Sequence, residues 1–339
     1  MKADQTLRNI LTIRFARLGD VILLLPALST IKSSFPDAKL SFLTGHPCAS
    51  IAEMSPAVDH VISVDRIAMR DGPLWKALHD VKNLVADIRS RNFDAVIDFH
   101  SFRETNLLTW FSRAPLRVGM KRHDAAFLPF CFNEPPVSED KSLHVSEMFQ
   151  RVAEGLKGVS RVSSDRNWVC VPETVLQWRR SVLADEPTLT VFVDAPVADR
   201  RWPPANFAAV ADFAVERLGA RVVVLSSSVN AAAAECVLQH SRNPRALRVF
   251  TDLSMPQLAA VIAGSQLLVS NDTGPMHLGP ALGVGTLGLF SVGLPEHFRP
   301  IGKHDQFLRG NPIETIRVEE VTETVSEMWT TAAGRDPRR

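Results

Sequence analysis

Short apolar runs alternate with longer amphipathic stretches along nearly the whole chain, and Gly, Pro and Asp cluster between them. Ile10-Leu11-Thr12-Ile13-Arg14-Phe15 reads as a strand ending at a Gly-containing turn, since a parallel strand covered on both faces is apolar throughout. Val21 to Ser34 reads as a helix closed by the breaker Pro36-Asp37, and Leu40 to Leu43, Val61 to Val64 and Ala95 to Phe99 read as further strands. Between the last two, Leu74, Trp75, Leu78, Val81, Leu84, Val85 and Ile88 recur with helical period and predict one apolar face. Strands joined by crossover helices imply a doubly wound parallel sheet.

The cycle restarts after residue 185. Strands are expected at Leu189 to Val193, Arg221 to Leu225, Leu267 to Ser270 and Thr286 to Phe290. Helices are expected at Phe207 to Leu218, Ala231 to Gln239, Met255 to Ala263 and Met276 to Leu282. This predicts an α/β protein of two Rossmann-like domains: residues 1–184, with a linker helix at about 173–184, then 185–317, then a closing helix and tail over 318–339. The last residues, from Gly334, are expected to fray. In such sheets ligands gather at the carboxyl ends of strands, so the chemistry is sought in the loops that follow them.

At 339 residues the chain suits two domains of roughly 100–200 residues each. Lys and Arg number 38 against 37 Asp and Glu, a net charge of +1 that gives no global case for nucleic acid as a partner. The four cysteines, Cys48, Cys131, Cys170 and Cys236, lack metal or disulfide spacing and are expected to be buried thiols in a reducing compartment. The densest apolar run, Val21 to Leu28, falls short of the ~20 residues that span a bilayer. The opening Met1-Lys2-Ala3-Asp4-Gln5-Thr6 lacks the apolar core of a signal peptide. The expected location is the cytoplasm, with any membrane contact made from the side.

Four segments stand out. In Arg14-Phe15-Ala16-Arg17-Leu18-Gly19-Asp20-Val21, Gly19 permits a tight turn and Asp20 falls at a helix start, where it suits either an N-cap or a general base at a strand's carboxyl end. Ser270-Asn271-Asp272-Thr273-Gly274-Pro275-Met276-His277 again joins strand to helix; Gly274 and Pro275 shape the turn, and its N–H groups form a phosphate cradle. In Asp199-Arg200-Arg201-Trp202-Pro203-Pro204, Arg200 and Arg201 suit a diphosphate or a solvated pair. Arg103, Arg113, Arg117, Lys121, Arg122 and His123, with Arg66 and Arg70 upstream, suit an anionic acceptor, an anionic membrane surface or simply a wet face. No Asp-x-Asp pair occurs, so a diphosphate here is expected to be held by helix N-termini and arginines rather than through a divalent cation.

Together, Arg17-Leu18-Gly19-Asp20-Val21 with Pro26-Ala27-Leu28, Arg200-Arg201-Trp202-Pro203 and Asn271-Asp272-Thr273-Gly274-Pro275-Met276-His277-Leu278 resemble the family 9 glycosyltransferases. The best-known members are ADP-heptose:lipopolysaccharide heptosyltransferases. The resemblance implies a GT-B fold, with two Rossmann-like domains facing across a cleft, and inverting sugar transfer without a metal. Asp20 matches the catalytic aspartate. Arg200, Arg201, Asp272, Thr273, Gly274, Pro275, Met276 and His277 are the expected donor-binding residues, and Arg200 stands where the family usually has Lys. Arg17, Gly19, Arg66, Arg103, Lys121 and Arg122 are the expected acceptor-binding residues. The implied partners are a nucleotide sugar (ADP-heptose, with no cofactor beyond this substrate), an anionic glycolipid or glycan acceptor, and the inner membrane as a peripheral contact.

Three departures lie in the donor half. Asp194-Ala195-Pro196 replaces a small hydroxyl-bearing loop, Asn230 to Ala234 is neutral where relatives often carry an acidic ribose ligand, and Phe290-Ser291-Val292-Gly293 replaces the usual Phe-Gly followed by Pro or a polar residue. They leave two other readings open: a GT-B enzyme using another nucleotide sugar, a 2-epimerase included, or a non-catalytic binding protein.

Overall fold

The structure, a computed structural model, describes residues 7–161 and 167–333. The opening hexapeptide and the tail from Gly334, whose fraying the sequence predicts, lie outside the described residues. The chain divides into two compact units, Met1–Trp168 and Val169–Arg339.

In the first unit, β1 (Asn9–Arg14), β2 (Lys39–Gly45), β3 (His60–Val64), β4 (Ala95–Asp98), β5 (Leu116–Lys121) and β6 (Val137–Ser138) form a parallel sheet in the order β3-β2-β1-β4-β5-β6. Strand β1 is central; Ile10 pairs with Leu40 on one side and Ala95 on the other, and all but its first residue are buried. Helix Leu18–Ser34 is apolar on nearly every face because it packs between the sheet and helix Val145–Glu154.

In the second unit, β7 (Thr188–Phe192), β8 (Arg221–Leu225), β9 (Leu247–Phe250), β10 (Leu267–Asn271), β11 (Gly285–Phe290) and β12 (Gln306–Arg309) form a parallel sheet in the order β12-β11-β10-β7-β8-β9. The winding repeats that of the first unit. In both, the first strand lies beside the fourth and the chain steps outward in opposite directions from that pair, so β1/β4 and β7/β10 are the topological switch points where a crevice opens. The core of the second unit centres on Trp202, fully buried, edge-on to Phe207 at 5.1 Å and donating from Nε1 to the Ile316 carbonyl at 3.0 Å.

Three expectations change. The linker helix forms as Glu173–Val182 but goes with the second unit: Arg179 is buried and its Nη2 donates to the Gly264 carbonyl at 3.0 Å. The closing helix, Val318–Ala333, joins the same unit by burying Val321, Val325, Met328 and Trp329 in its core. Among the cysteines, all free thiols, Cys48 and Cys131 are buried, whereas Cys170 is exposed and Cys236 half-buried. Among the described residues no helix is long and apolar enough to cross a membrane.

Candidate active site

At the first switch point, Arg17 is the N-cap of helix Leu18–Ser34, and its side chain makes no capping bond. Gly19 and Asp20 therefore lie inside the first turn, where the partial positive charge of the helix favours a carboxylate. Asp20 is not the cap. Its Oδ1 accepts a bond of 3.2 Å from Nη2 of Arg14, the last residue of β1. Nη1 of Arg14 donates to the Phe99 carbonyl at 2.9 Å, and its guanidinium carbon stands 4.9 Å from the centre of the Phe149 ring. Burial pulls Arg14 below the ordinary arginine pKa, and the Asp20 carboxylate opposes that pull. The pair has an inner and an outer member: the Arg14 side chain is 9% exposed and that of Asp20 is 27%. Cys48 lies nearby, its thiol raised by burial and by the Asp20 charge, and so held in the un-ionised form.

Across the switch point, Asp98 ends β4 and shapes the next loop. Its Oδ1 accepts from the N–H groups of His100 at 3.0 Å and Ser101 at 2.7 Å, and its Oδ2 from Asn106 at 3.2 Å. Burial pushes Asp98 up to about 6 against those bonds. The loop presents His100 between Phe15, edge-on at 5.7 Å, and Phe102 at 4.6 Å. Arg66 lies over Phe15 at 4.9 Å and Arg122 over Phe102 at 4.7 Å. Burial, with the charges of Arg14, Arg66 and Arg122, pushes His100 down to about 3, so the imidazole is neutral at physiological pH. A neutral ring among three guanidiniums suits an anionic ligand.

At the second switch point, Asn271 ends β10 and ties the neighbouring loops together. Its Nδ2 donates to the Val193 carbonyl at 2.9 Å, and its Oδ1 accepts from the Trp202 N–H at 3.1 Å. Asp272 follows, and its Oδ2 lies 3.1 Å from Nη1 of Arg200; the carboxylate side chain is 8% exposed and the arginine 34%. Burial raises the Asp272 pKa and Arg200 opposes it. Gly293, after β11, presses on this carboxylate so closely that a Cβ there would stand 2.2 Å from Oδ2. The Ser291 hydroxyl donates to the Asp199 carbonyl, so the loops after β7, β10 and β11 converge on Arg200.

The helix expected over Met276 to Leu282 is instead a 3₁₀ turn, Gly274–His277, followed by a single helical turn, Leu278–Ala281. Its local N–H groups, rather than a long macrodipole, are what it offers an anion. Thr273, Gly274 and Pro275 are half-buried at its start. Met276 and His277 are buried, with Met276 packed against β11 at Gly288, so these two side chains form the floor of the turn. Arg201 closes its own loop by donating from Nε to the Ala195 carbonyl at 2.7 Å. The Asp194 carboxylate, at the end of β7, accepts from the Ser227 hydroxyl and the Asn230 amide after β8. The neutral Asn230 segment thus meets an acid delivered by the neighbouring strand.

The basic residues grouped by sequence do not act as one patch. Arg66 and Arg122 reach the His100 cluster, whereas Arg17, Arg103 and Lys121 are exposed at the edges of the same loops. Arg70 pairs with Asp71 at 2.7 Å, and Arg117 donates to the carbonyls of Ala114 and Cys131. Asp98 and His100 lie outside the segments the sequence picks out, and Arg14 and Asp194 lie within them without a role of their own. Arg14 looks like the charged end of a strand, and the others acquire meaning only through strand neighbours. Among the described residues, no three His, Cys, Asp or Glu side chains gather as metal ligands.

The model of glycosyltransferase family 9 (heptosyltransferase) matches residues 81–325. Lipopolysaccharide heptosyltransferase 1 of Pseudomonas aeruginosa is 26% identical over 296 residues, covering 83% of this chain and 78% of the relative. Among solved structures, a family 9 glycosyl transferase from Veillonella parvula superposes with a TM-score of 0.84 at 22% identity, covering 98% of this chain and 99% of the other. E. coli heptosyltransferase WaaC with ADP-2-deoxy-2-fluoro heptose gives 0.77 at 20% identity, covering 94% and 99%. The two Rossmann-like sheets have the GT-B architecture of these structures. The chain belongs to glycosyltransferase family 9, the heptosyltransferase family, and is a glycosyltransferase.

Proposed function

We propose that this enzyme moves a heptose-like sugar from ADP-heptose to an anionic glycan or glycolipid of the lipopolysaccharide-core type, by a single inverting displacement that uses no metal. On this reading it works in the cytoplasm, at the inner face of the membrane that carries the acceptor. The observation that carries the reading is the Asp20 carboxylate, oriented by Arg14 at a strand's carboxyl end beside a frame of arginines suited to an anionic acceptor. The relatives named for heptose transfer, and the structure solved with an ADP-heptose analogue, support the donor.

The chemistry follows from these groups. Asp20 takes the proton of the acceptor hydroxyl as its oxygen bonds to the anomeric carbon. The bond from that carbon to the diphosphate oxygen breaks through an oxocarbenium-like state, and the configuration inverts. The charge left on ADP is met by Arg200 and by the N–H groups of the Thr273–His277 turn, which supply the stabilisation a metal would otherwise give. His100 stays neutral and serves the acceptor as a hydrogen-bond partner, while Arg66 and Arg122 carry the positive charge beside it.

Titrating the protein with ADP, GDP and UDP, then assaying ADP release from ADP-heptose with a lipopolysaccharide-core acceptor, tests the reading. Selective ADP binding with acceptor-dependent release and an inverted product anomer is the expected result. Preference for another nucleotide would favour a different donor, for which the Asp194–Ser227–Asn230 arrangement is the specific motive. Absence of any nucleotide binding would refute the proposal.

A further inference from the structure

The amphipathic segment read from sequence forms as helix Leu74–Ser90, but the fold covers only half of its apolar stripe. Ile88 is buried, and Leu84 and Val85 pack against the first unit's core. In the leading half, Leu74 is 75% exposed, Trp75 72%, Leu78 62% and Val81 44%. The short helix Arg66–Asp71 packs beside it and adds Ile67, also exposed. An apolar helical period left uncovered by its own domain marks a surface that meets something else.

The charges around the stripe indicate what. Lys82 lies one turn beyond Leu78 and two beyond Trp75, on the border of the apolar face, whereas Asp80 and Asp87 project with Lys76 from the opposite side. Asp87 is paired with Arg91 at 3.0 Å, Asp71 with Arg70 at 2.7 Å and Glu104 with Arg66 at 3.4 Å, and Asp65 accepts from the Ala68 N–H, so Lys82 is the charge that the border of the stripe presents. An apolar stripe with an exposed indole and a lysine at its border matches the headgroup region of an anionic bilayer. Arg66 opens the adjoining short helix and also reaches the His100 cluster, so the exposed face is continuous with the candidate acceptor site.

We propose that the face formed by Ile67, Leu74, Trp75, Leu78, Val81 and Lys82 docks onto a membrane surface rich in anionic phospholipid and brings the acceptor site to a lipid-borne glycan. The purpose of this docking rests on the proposed acceptor reading; the docking itself does not.

The test is flotation of the full chain with vesicles of phosphatidylethanolamine and phosphatidylglycerol, compared with vesicles of phosphatidylcholine alone. Binding is expected to the anionic vesicles and to weaken with salt. The double variant Trp75→Ser/Leu78→Gln should lose at least about tenfold in partitioning, and Lys82→Glu roughly fivefold or more. Both should melt like the parent, because these side chains are exposed. Absence of binding to anionic vesicles, or unchanged binding by the double variant, overturns the proposal. So does a self-associated species, seen by light scattering, that the double variant abolishes, since a second copy would then cover the stripe. ADP titration of the same samples separates this outcome from failure of the transferase reading.

Discussion

Asp20→Asn isolates the proposed base. The substitution preserves shape and removes only charge and proton-accepting capacity. The ion pair it disrupts lies between the surface and buried regimes, with Arg14 9% exposed and Asp20 27%. Arg14 keeps the Phe99 carbonyl and the Phe149 ring, and the Asn carbonyl can still accept from Nη2. After discounting for solvent screening at the outer partner, the stability cost is about 1–2 kcal/mol. Loss of general-base catalysis is far larger: kcat should fall roughly 10²–10⁴-fold, or ~3–5 kcal/mol of barrier. The assay is ADP release under saturating donor, with a thermal melt and an ADP titration on the same preparation. ADP affinity should stay within about twofold, since on the proposed reading Arg200 and the Thr273–His277 turn, and not Asp20, hold the diphosphate. A variant turning over within about threefold of the parent would refute the base assignment, because general-base catalysis typically contributes about a hundredfold or more. A parallel fall in ADP affinity would refute the division of labour between the two units.

Two further predictions test the second unit. Arg200→Ala should weaken ADP binding roughly 10–100-fold, as expected for a lost charge-assisted contact, and should destabilise the unliganded protein by leaving the buried Asp272 carboxylate without its cation. Adding Asp272→Asn should restore the melting temperature and not the affinity, which calorimetry and a melt together would show; full recovery of binding would place the phosphates elsewhere. Asp305 is half-buried, accepts from the Thr286 N–H at 2.9 Å and from the Gly302 N–H, and is pushed up to about 6 by desolvation. Its folded pKa lies above the unfolded one, so its contribution is fully present near pH 4 and is lost as pH rises to about 6. The Asp305→Asn variant should gain on the parent across that window, by at most roughly 3 kcal/mol, in denaturant melts at each pH. A constant difference between the two proteins would show that Asp305 does not titrate there.

Strands whose residues are buried on both faces were legible from sequence, because an uninterrupted apolar run has few other uses. Strand β5 was not: Leu116–Lys121 carries Arg117, whose head turns aside to two backbone carbonyls, a detail that local composition does not reveal. The edge strands β6 and β12 are short and mostly exposed, so they never needed an apolar run. The donor turn misled for a different reason. The segment is helical over nearly the expected length but opens as a 3₁₀ turn; a Cβ on Gly279 would stand 1.9 Å from the Thr286 hydroxyl, a close approach to β11 that local pattern does not reveal. Asp20, Arg200 and Asp272 were readable as loop residues after strands. Arg14 and His100 were not, because their roles arise from the pairing of β1 with β4, a register set between residues far apart in the chain.

The two switch points use one electrostatic device with opposite polarity. In the first unit a buried cation, Arg14, holds a more exposed carboxylate; in the second a buried carboxylate, Asp272, holds a more exposed cation. In each pair the inner member is fixed by burial and, for Arg14, by a carbonyl and a ring, so its desolvation cost is borne once, in folding, rather than at each turnover. On the proposed mechanism the outer member is thereby left pre-oriented with the charge its half of the reaction requires: a negative group for the proton of the attacking alcohol, a positive group for the departing diphosphate. Identical strand order accounts for the common position of the two pairs, and the opposite choice of inner residue accounts for the difference in what each unit is suited to bind. The inner residues are therefore positioning residues. Replacing either should degrade the alignment of its outer partner even though neither inner charge is the one presented to substrate.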